Sequence, residues 1–309
     1  MTEQRPIRVG RRTVEISNPD KVLYPGEGIT KSDLVEHYRR AAERMLPHLK
    51  DRPLALERYP DGIKGERIFQ KNVPRHFPSW ISRVTVRKAG GTLDQVVCTE
   101  AATLVYLANQ ACITPHAWLS RADRPEHPDQ VIFDLDPAVN GFEEARVAAL
   151  SLRSLLEELE LPSFAKTTGG KGIHVTVPLD RRADFAAVRQ FARDVAAVLV
   201  ARDPKRLTME QRKDKRRGRL YIDVMRNAYA QTAVPPYAVR ATPGATVATP
   251  LAWREVADPS LRPSRFTIRT IVRRIERGKD PWEGLIRQHR SLSRARNRLT
   301  ALLEEEANR

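Results

Sequence analysis

The chain has 309 residues, 41% of them hydrophobic, which supplies a substantial core for one large or two modest domains. Its 54 Lys and Arg against 38 Asp and Glu leave a formal charge of +16, a surplus that points to a polyanionic partner, nucleic acid first. Two cysteines, Cys98 and Cys112, are too few for a disulfide framework or a zinc site. No apolar run approaches a membrane span, and the opening MTEQRPIRVG has no signal-peptide core, so the expectation is a cytoplasmic protein with no membrane association.

In chain order, the alternation over 8–16 predicts an opening strand or hairpin, and the Pro and Gly of 18–26 mark a loop. Thr30 followed by Asp33 is a helix start, continued by an apolar stripe through Leu34, His37, Tyr38 and Ala41 to Met45. Lys21 and Lys31 flank this loop and helix; taken alone, they read as solvated surface. Residues 54–59 predict a strand, and the following segment sets Phe69 near Lys71, an aromatic that can stack on a base beside an ammonium that can meet a phosphate. Strands are expected over 84–86 and 95–98, then a buried helix over 99–112. His116 falls in what reads as a loop over 114–118, where a lone histidine before a tryptophan suggests a structural role.

Val131 to Pro137 is an apolar, β-prone run ending in two aspartates one residue apart. On a strand Asp134 and Asp136 point to the same face, where their mutual repulsion is relieved by a divalent cation; hard oxygen ligands suit magnesium or manganese. The bland alternative is a strand end whose aspartates cap the next helix. An amphipathic helix over 143–160 leads to a short strand from Phe164, then to Gly169-Gly170-Lys171-Gly172 and a strand over 173–177 with His174 and Thr176 on one face. Glycine amides there can cradle phosphate, although the Walker spacing is absent. A second helix (183–202) precedes a basic run containing Arg212, Lys213, Lys215, Arg216 and Arg217, which enters the strand 220–224 carrying Asp223, a third candidate ligand. Arg240 follows a Pro-rich turn, and 254–309 read as basic helices, the last from about 281 to 305. With no repeat and no low-complexity linker, one compact unit of two packed lobes is expected: an N-terminal α/β module over about 1–125 and a core over 126–250, with the helices of 251–309 packing on the body.

Three carboxylates can hold two divalent ions, one activating an attacking 3′-hydroxyl and the other neutralising a leaving pyrophosphate. Lys and Arg would bind the triphosphate and a basic surface the template, which together describe a nucleotidyltransferase. The motifs Phe-Asp-Leu-Asp-Pro (133–137), Thr-Gly-Gly-Lys-Gly-Ile-His-Val (168–175) and Tyr-Ile-Asp-Val (221–224), with Asn-Pro-Asp-Lys-Val-Leu-Tyr-Pro from 18 and Tyr-Ala-Val-Arg from 237, resemble the polymerase domain of bacterial ligase D, in the archaeo-eukaryotic primase superfamily. The resemblance spans nearly the whole chain. It implies an α/β (α+β) fold, a primase-type core with an RRM-like antiparallel or mixed sheet packed by helices.

The resemblance makes Asp134, Asp136 and Asp223 the catalytic metal ligands for two manganese or magnesium ions. It assigns His116, Thr168, Lys171, His174, Arg216 and Arg240 to the incoming NTP or dNTP. Lys21 and Lys31 match lysines that bind a DNA 5′-phosphate, and Phe69 and Lys71 match a template contact, with Ile68 where some members have a second phenylalanine. Arg226 is assigned no role. The implied activity is gap filling and end extension in non-homologous end joining, with ribonucleotides preferred and manganese the more active metal. The implied partners are gapped or broken DNA, Ku and an ATP-dependent DNA ligase, for a monomeric polymerase that carries no ligase module and, with its own Met1, stands alone.

Three rival readings compete with this one. A dehalogenase-like phosphatase also uses a DxD strand, but wants Thr or Val two residues past the second aspartate, where this chain has Ala138. A de novo primase is closer, and the two lysines argue for repair. A scaffold that binds DNA ends without chemistry has no need of clustered acids.

Overall fold

A computed structural model describes residues 4–137 and 141–307, so Ala138 lies outside the described residues. The chain forms two compact units, neither contiguous: residues 1–123, 232–249 and 264–280 make the first, and 124–231, 250–263 and 281–309 the second. This differs from the expected lobes, because 232–249 group with the first unit rather than with 126–250, and 251–309 are divided between both. Local periodicity carries no information about such returns; they are fixed by pairings between strands distant in sequence.

In the first unit, β1 (Gln4–Val9) and β2 (Arg12–Ser17) form the expected hairpin around Gly10, whose φ of 60° is left-handed. β3 (Val22–Tyr24) and β4 (Ile29–Thr30) lead into α1 (Lys31–Leu49). The helix starts where the capping pair predicts: the Asp33 amide donates to Thr30 Oγ1 at 3.2 Å, and the Thr30 amide donates back to Asp33 at 2.8 Å. β5 (Pro53–Arg58), β6 (Ile68–Gln70), β7 (Arg83–Lys88), β8 (Gly91–Val97), α2 (Ala101–Asn109) and β9 (Cys112–Trp118) follow. Two expectations fail here. The helix stops at Asn109, because Ala111 adopts a left-handed φ of 54°, and 112–118 form a strand rather than a loop. Pro115 is tolerated in β9 because the strand's outer neighbour pairs only with Ala117 and Trp118.

The second unit begins with β10 (Gln130–Asp136), α3 (Phe142–Glu158), β11 (Phe164–Thr167) and β12 (Ile173–Pro178). Then come α4 (Phe185–Arg202), capped by Asp184, β13 (Leu207–Thr208) and β14 (Leu220–Asp223). Phe133, Leu135, Ile173, Val175 and Val177 are fully buried, and α3 and α4 pack against β10 and β12 to enclose them. β12 is buried on both faces, so His174 and Thr176 lie inside rather than on an open surface.

The closing stretches complete both sheets. β15 (Thr232–Ala233) pairs with β9, giving the first unit the order β15-β9-β5-β8-β7, with β6 also on β5. β16 (Pro250–Leu251) pairs with β11, giving the second β13-β14-β10-β12-β11-β16, antiparallel except for the β13–β14 pair. α5 (Trp253–Ala257) and α7 (Leu292–Ala307) belong to the second unit and α6 (Val272–Arg277) to the first. The last helix starts later than expected, since 281–291 run as turns around a short 3-10 helix (Leu285–Gln288) and dock on the sheet: Trp282 Nε1 donates to the Ala165 carbonyl at 2.8 Å, and Arg290 bridges to Leu179. The fold is mixed α/β, with antiparallel and mixed sheets flanked by helices. No helix among the described residues is long and apolar enough to cross a membrane.

Candidate active site

In the second unit the registers of four neighbouring strands align Lys166, His174, Asp134 and Asp223 in one row across the sheet. Directly paired residues share a face, so these ionisable groups are neighbours. Two residues further along β10, Asp136 lies opposite Tyr221 on the same face. All three expected ligands are thus on one side of adjacent strands.

Their electrostatics differ. Asp134 is 7% exposed; Arg226 Nε donates to its Oδ2 at 2.7 Å, and His174 Nε2 lies 3.3 Å from the same atom. Burial works to raise the Asp134 pKa, but these partners outweigh it and hold the carboxyl well below its usual range. His174 is itself lowered to about 4 by burial and then by Lys166, so at neutral pH it is an uncharged neighbour and Arg226 supplies the fixed charge. Asp136 moves the other way: burial and the charge of Asp134 raise its pKa, with Arg216 and Lys213 opposing and Asp223 adding to the rise. The Asp223 carboxylate accepts the Met225 amide at 2.7 Å.

These groups fit a hard divalent cation in kind and in placement, because burial and then the charge of Asp134 penalise ionisation of Asp136 and a cation would offset that penalty. The arrangement is not closed as it stands: among the described residues no group of three or more His, Cys, Asp or Glu is gathered tightly enough to hold an ion. Arg226 and His174 both engage Oδ2 of Asp134.

The glycine turn is built around Thr168. Its hydroxyl accepts the amides of Gly170 at 3.1 Å and Gly172 at 3.3 Å, so those two amides, expected to cradle phosphate, serve the turn itself. A side chain at Gly172 would collide with the Leu135 carbonyl, which is why β12 can approach the dyad strand so closely. Lys171 is exposed at the turn. Arg216 is buried, donates to the Glu210 and Gln211 carbonyls at 3.0 and 2.9 Å, and holds its guanidinium 4.1 Å over the Tyr221 ring.

The first unit gathers the other expected residues. His116 lies on β9 and its Nε2 is 2.9 Å from Glu57 Oε2, while Arg67 Nε is 2.8 Å from Glu57 Oε1. Phe69, 41% exposed on β6, has its ring centroid 5.6 Å from that of His116 and 5.2 Å from the Arg67 guanidinium. Burial opposes ionisation of Glu57, but His116, then Arg240 and Arg67, hold its pKa down to about 2. The backbone that carries Arg240 is tied down residue by residue. His37 Nε2 reaches the Tyr237 carbonyl at 2.8 Å, Tyr38 OH accepts the Val239 amide at 3.2 Å, Thr114 donates to the Val239 carbonyl at 2.6 Å, and Tyr24 donates to that of Arg240 at 2.8 Å. Lys71 is exposed just past β6. Lys21 pairs with Asp61 at 2.7 Å, and Lys31, only 6% exposed, donates to the Ser17 carbonyl at 2.6 Å.

Four residues of consequence were missed from sequence. Glu57 stood out as a lone acid in the apolar run Leu54-Ala55-Leu56, and Lys166 as a cation inside a short strand. Both are signals of a paired buried charge. Arg226 gave no such sign. Asn227, fully buried, accepts the Ile132 amide at 2.8 Å and donates to the Ile132 and Val224 carbonyls at 2.7 and 3.0 Å, locking the chain after Asp223 to β10.

Comparison with known proteins supplies the context. Residues 30–282 match the family model "LigD, primase-polymerase domain". The chain is 34% identical over 257 residues to the multifunctional non-homologous end joining protein LigD of Mycolicibacterium smegmatis, covering 82% of this chain and 34% of that protein. It is 31% identical over 271 residues to the bifunctional non-homologous end joining protein LigD of Bacillus subtilis, covering 87% and 43%. The chain therefore spans less than half the length of these curated relatives. Among solved structures, the polymerase domain from Mycobacterium tuberculosis ligase D in complex with DNA superposes with a TM-score of 0.84 at 32% identity, covering 90% of this chain and 99% of that one.

Proposed function

The chain belongs to the LigD primase-polymerase family and is a nucleotidyltransferase, and from that premise we propose that it extends a 3′-hydroxyl with ribo- or deoxynucleotides on a DNA template, filling gaps and extending broken ends during non-homologous end joining. The observation that carries this reading is the placement of Asp134, Asp136 and Asp223 on one face of adjacent strands, with burial and then the charge of Asp134 pushing Asp136 toward protonation. Asp134, Asp136 and Asp223 would hold two manganese or magnesium ions, which, when bound, supply activation of the attacking hydroxyl and charge neutralisation at the leaving pyrophosphate. Lys171, exposed on its glycine turn, binds the triphosphate, and Arg216, held flat on Tyr221, presents a fixed positive charge to it. Thr168 shapes that turn, and neutral His174 orients Asp134. Among the first unit's residues, His116 and Arg240 are assigned to the nucleotide, Phe69 to stacking on a template base and Lys71 to its phosphate. Lys21 reads a downstream 5′-phosphate by exchanging Asp61 for it; Lys31, anchored on Ser17, supports the same field.

Ku and an ATP-dependent ligase are the partners this role requires, in the bacterial cytoplasm, with the polymerase acting as a monomer. The deciding experiment is primer extension across a short gap with manganese, comparing ribo- with deoxynucleotides and gaps with and without the 5′-phosphate. Extension stimulated by the phosphate supports repair synthesis. Synthesis only on unprimed template means a primase, and tight DNA binding without synthesis means a scaffold.

A further inference from the structure

β14 stops at Asp223, although β10 beside it runs on for several residues. The register sets Asp136 opposite Tyr221 and Asp134 opposite Asp223, and two further residues would set Met225 opposite Ile132. Alternate pairs of an antiparallel ladder exchange both of their backbone bonds, so the Met225 amide would donate to the Ile132 carbonyl and the Ile132 amide to that of Met225. The structure replaces this exchange with two side chains. The Met225 amide donates instead to Oδ1 of Asp223 at 2.7 Å, the atom that the Tyr221 hydroxyl meets at 3.5 Å. The Asn227 carboxamide then takes the place of the missing strand residue: its Oδ1 accepts the Ile132 amide at 2.8 Å, and its Nδ2 donates to the Ile132 and Val224 carbonyls at 2.7 and 3.0 Å. The Asn227 amide donates to the Val224 carbonyl at 3.2 Å and closes a turn over 224–227. Filling both backbone groups of Ile132 needs a donor and an acceptor on one planar group, which asparagine has and aspartate lacks. Asn227 is fully buried, so without it those groups would lie unpaired away from solvent.

We propose that Asn227 is a positioning residue for the divalent-cation site: by occupying the backbone of Ile132 it leaves the Met225 amide to orient the Asp223 carboxylate. The proposal rests on the reading above, in which Asp223 is a metal ligand. Asp223 and Ile132 compete for one donor, and the carboxamide settles the competition. Without it the Met225 amide returns to the Ile132 carbonyl, β14 lengthens by two residues, and the Asp223 carboxylate loses the bond that sets its direction. A ligating carboxylate deprived of such support holds its ion about tenfold more weakly. Arg226 rides on the same turn and pairs with Asp134, so a turn that moved would also release that carboxylate, an effect of the opposite sign. The two are separated by working in an Arg226→Met background as well.

The test measures manganese binding to the full chain without DNA or nucleotide, from the electron paramagnetic resonance signal of the free ion. In the Arg226→Met background Asn227→Ala is expected to raise the manganese Kd about tenfold. Asn227→Leu, which fills the same space without polar atoms, should do the same and serves where the alanine variant does not fold. Met225→Pro should match them with Asn227 intact, because proline suits the second position of a turn and removes only the amide. Leu155→Ala, in the core of α3, loses stability without touching the turn and should leave Kd within about twofold. In primer extension the manganese concentration giving half the maximal rate should rise with Kd, while the rate at saturation stays within about threefold. An unchanged Kd in Met225→Pro overturns the proposal, as do Asn227 variants that behave like Leu155→Ala or bind manganese more tightly. Asp223→Asn, run in parallel, separates the two levels. If it weakens manganese binding while the Asn227 and Met225 variants do not, the site reading stands and the positioning role alone fails. If it leaves Kd unchanged, Asp223 is not a ligand and the proposal falls with that reading.

Discussion

Each unit sets a buried carboxylate beside a histidine on its sheet, yet the two are in opposite conditions. Glu57 is fully satisfied: His116, Arg240 and Arg67 hold it ionised down to about pH 2. In the other unit Asp134 is paired with Arg226, while Asp136 meets burial and the charge of Asp134, which Arg216 and Lys213 do not fully offset. A satisfied acid is a fixed part, built to hold other groups in place. A frustrated acid marks a place where charge from outside will be accepted, which is the property expected of the reacting centre.

That contrast can be broken at several points. The largest effect is expected at the frustrated acids: Asp136→Ala or Asp134→Ala should reduce nucleotide incorporation by about 10³-fold while DNA affinity, measured by anisotropy, changes less than about twofold. Retained incorporation would remove the pair from the chemistry. Next is Arg226→Met, which unpairs a buried carboxylate. It should lower unfolding free energy by about 2 kcal/mol in urea titrations, and manganese should raise the melting temperature of the variant more than that of the wild type. An equal manganese shift in both would show that Arg226 does not compete for Asp134.

His37 sharpens the view of the first unit. It is fully buried and lowered to about 4 by burial, the Tyr237 carbonyl opposing. The unfolded chain therefore takes up a proton near pH 6.5 that the folded one refuses until about 4. Stability contributed by the neutral ring is intact above pH 6.5 and is lost as the pH falls toward 4, by an amount on the order of 3 kcal/mol. Urea midpoints between pH 7 and 4.5 should fall more steeply in the wild type than in His37→Gln. The smallest effect is at the exposed Lys21–Asp61 pair, where Asp61→Asn should alter stability by less than about 1 kcal/mol yet tighten binding to a 5′-phosphorylated gap over an unphosphorylated one. Unchanged discrimination would mean that Asp61 does not compete with the phosphate.

The sequence made some of this legible because the signals were local. The capping pair at Thr30 and Asp33, the hairpin around Gly10 and the same-face dyad of Asp134 and Asp136 each depend on residues within a few positions of one another. The groups that neutralise or hold the site were not legible. Arg226 meets Asp134, and Glu57 meets His116, only because antiparallel registers bring separate strands together. The same limit explains 112–118: a proline beside a histidine reads as loop, and only the shortness of the neighbouring β15 lets it be strand.

The interleaved course of the chain bears on how the molecule is made. A ribosome emits residues in order, and the first unit cannot close its sheet or secure Arg240 until 232–249 have emerged, well after β10 to β14 have been synthesised. The second in turn waits for Trp282, Arg290 and α7. Both halves must remain open through most of translation, with apolar strands exposed together. A chain ending anywhere before the last turns would therefore leave two incomplete bodies rather than one finished and one missing.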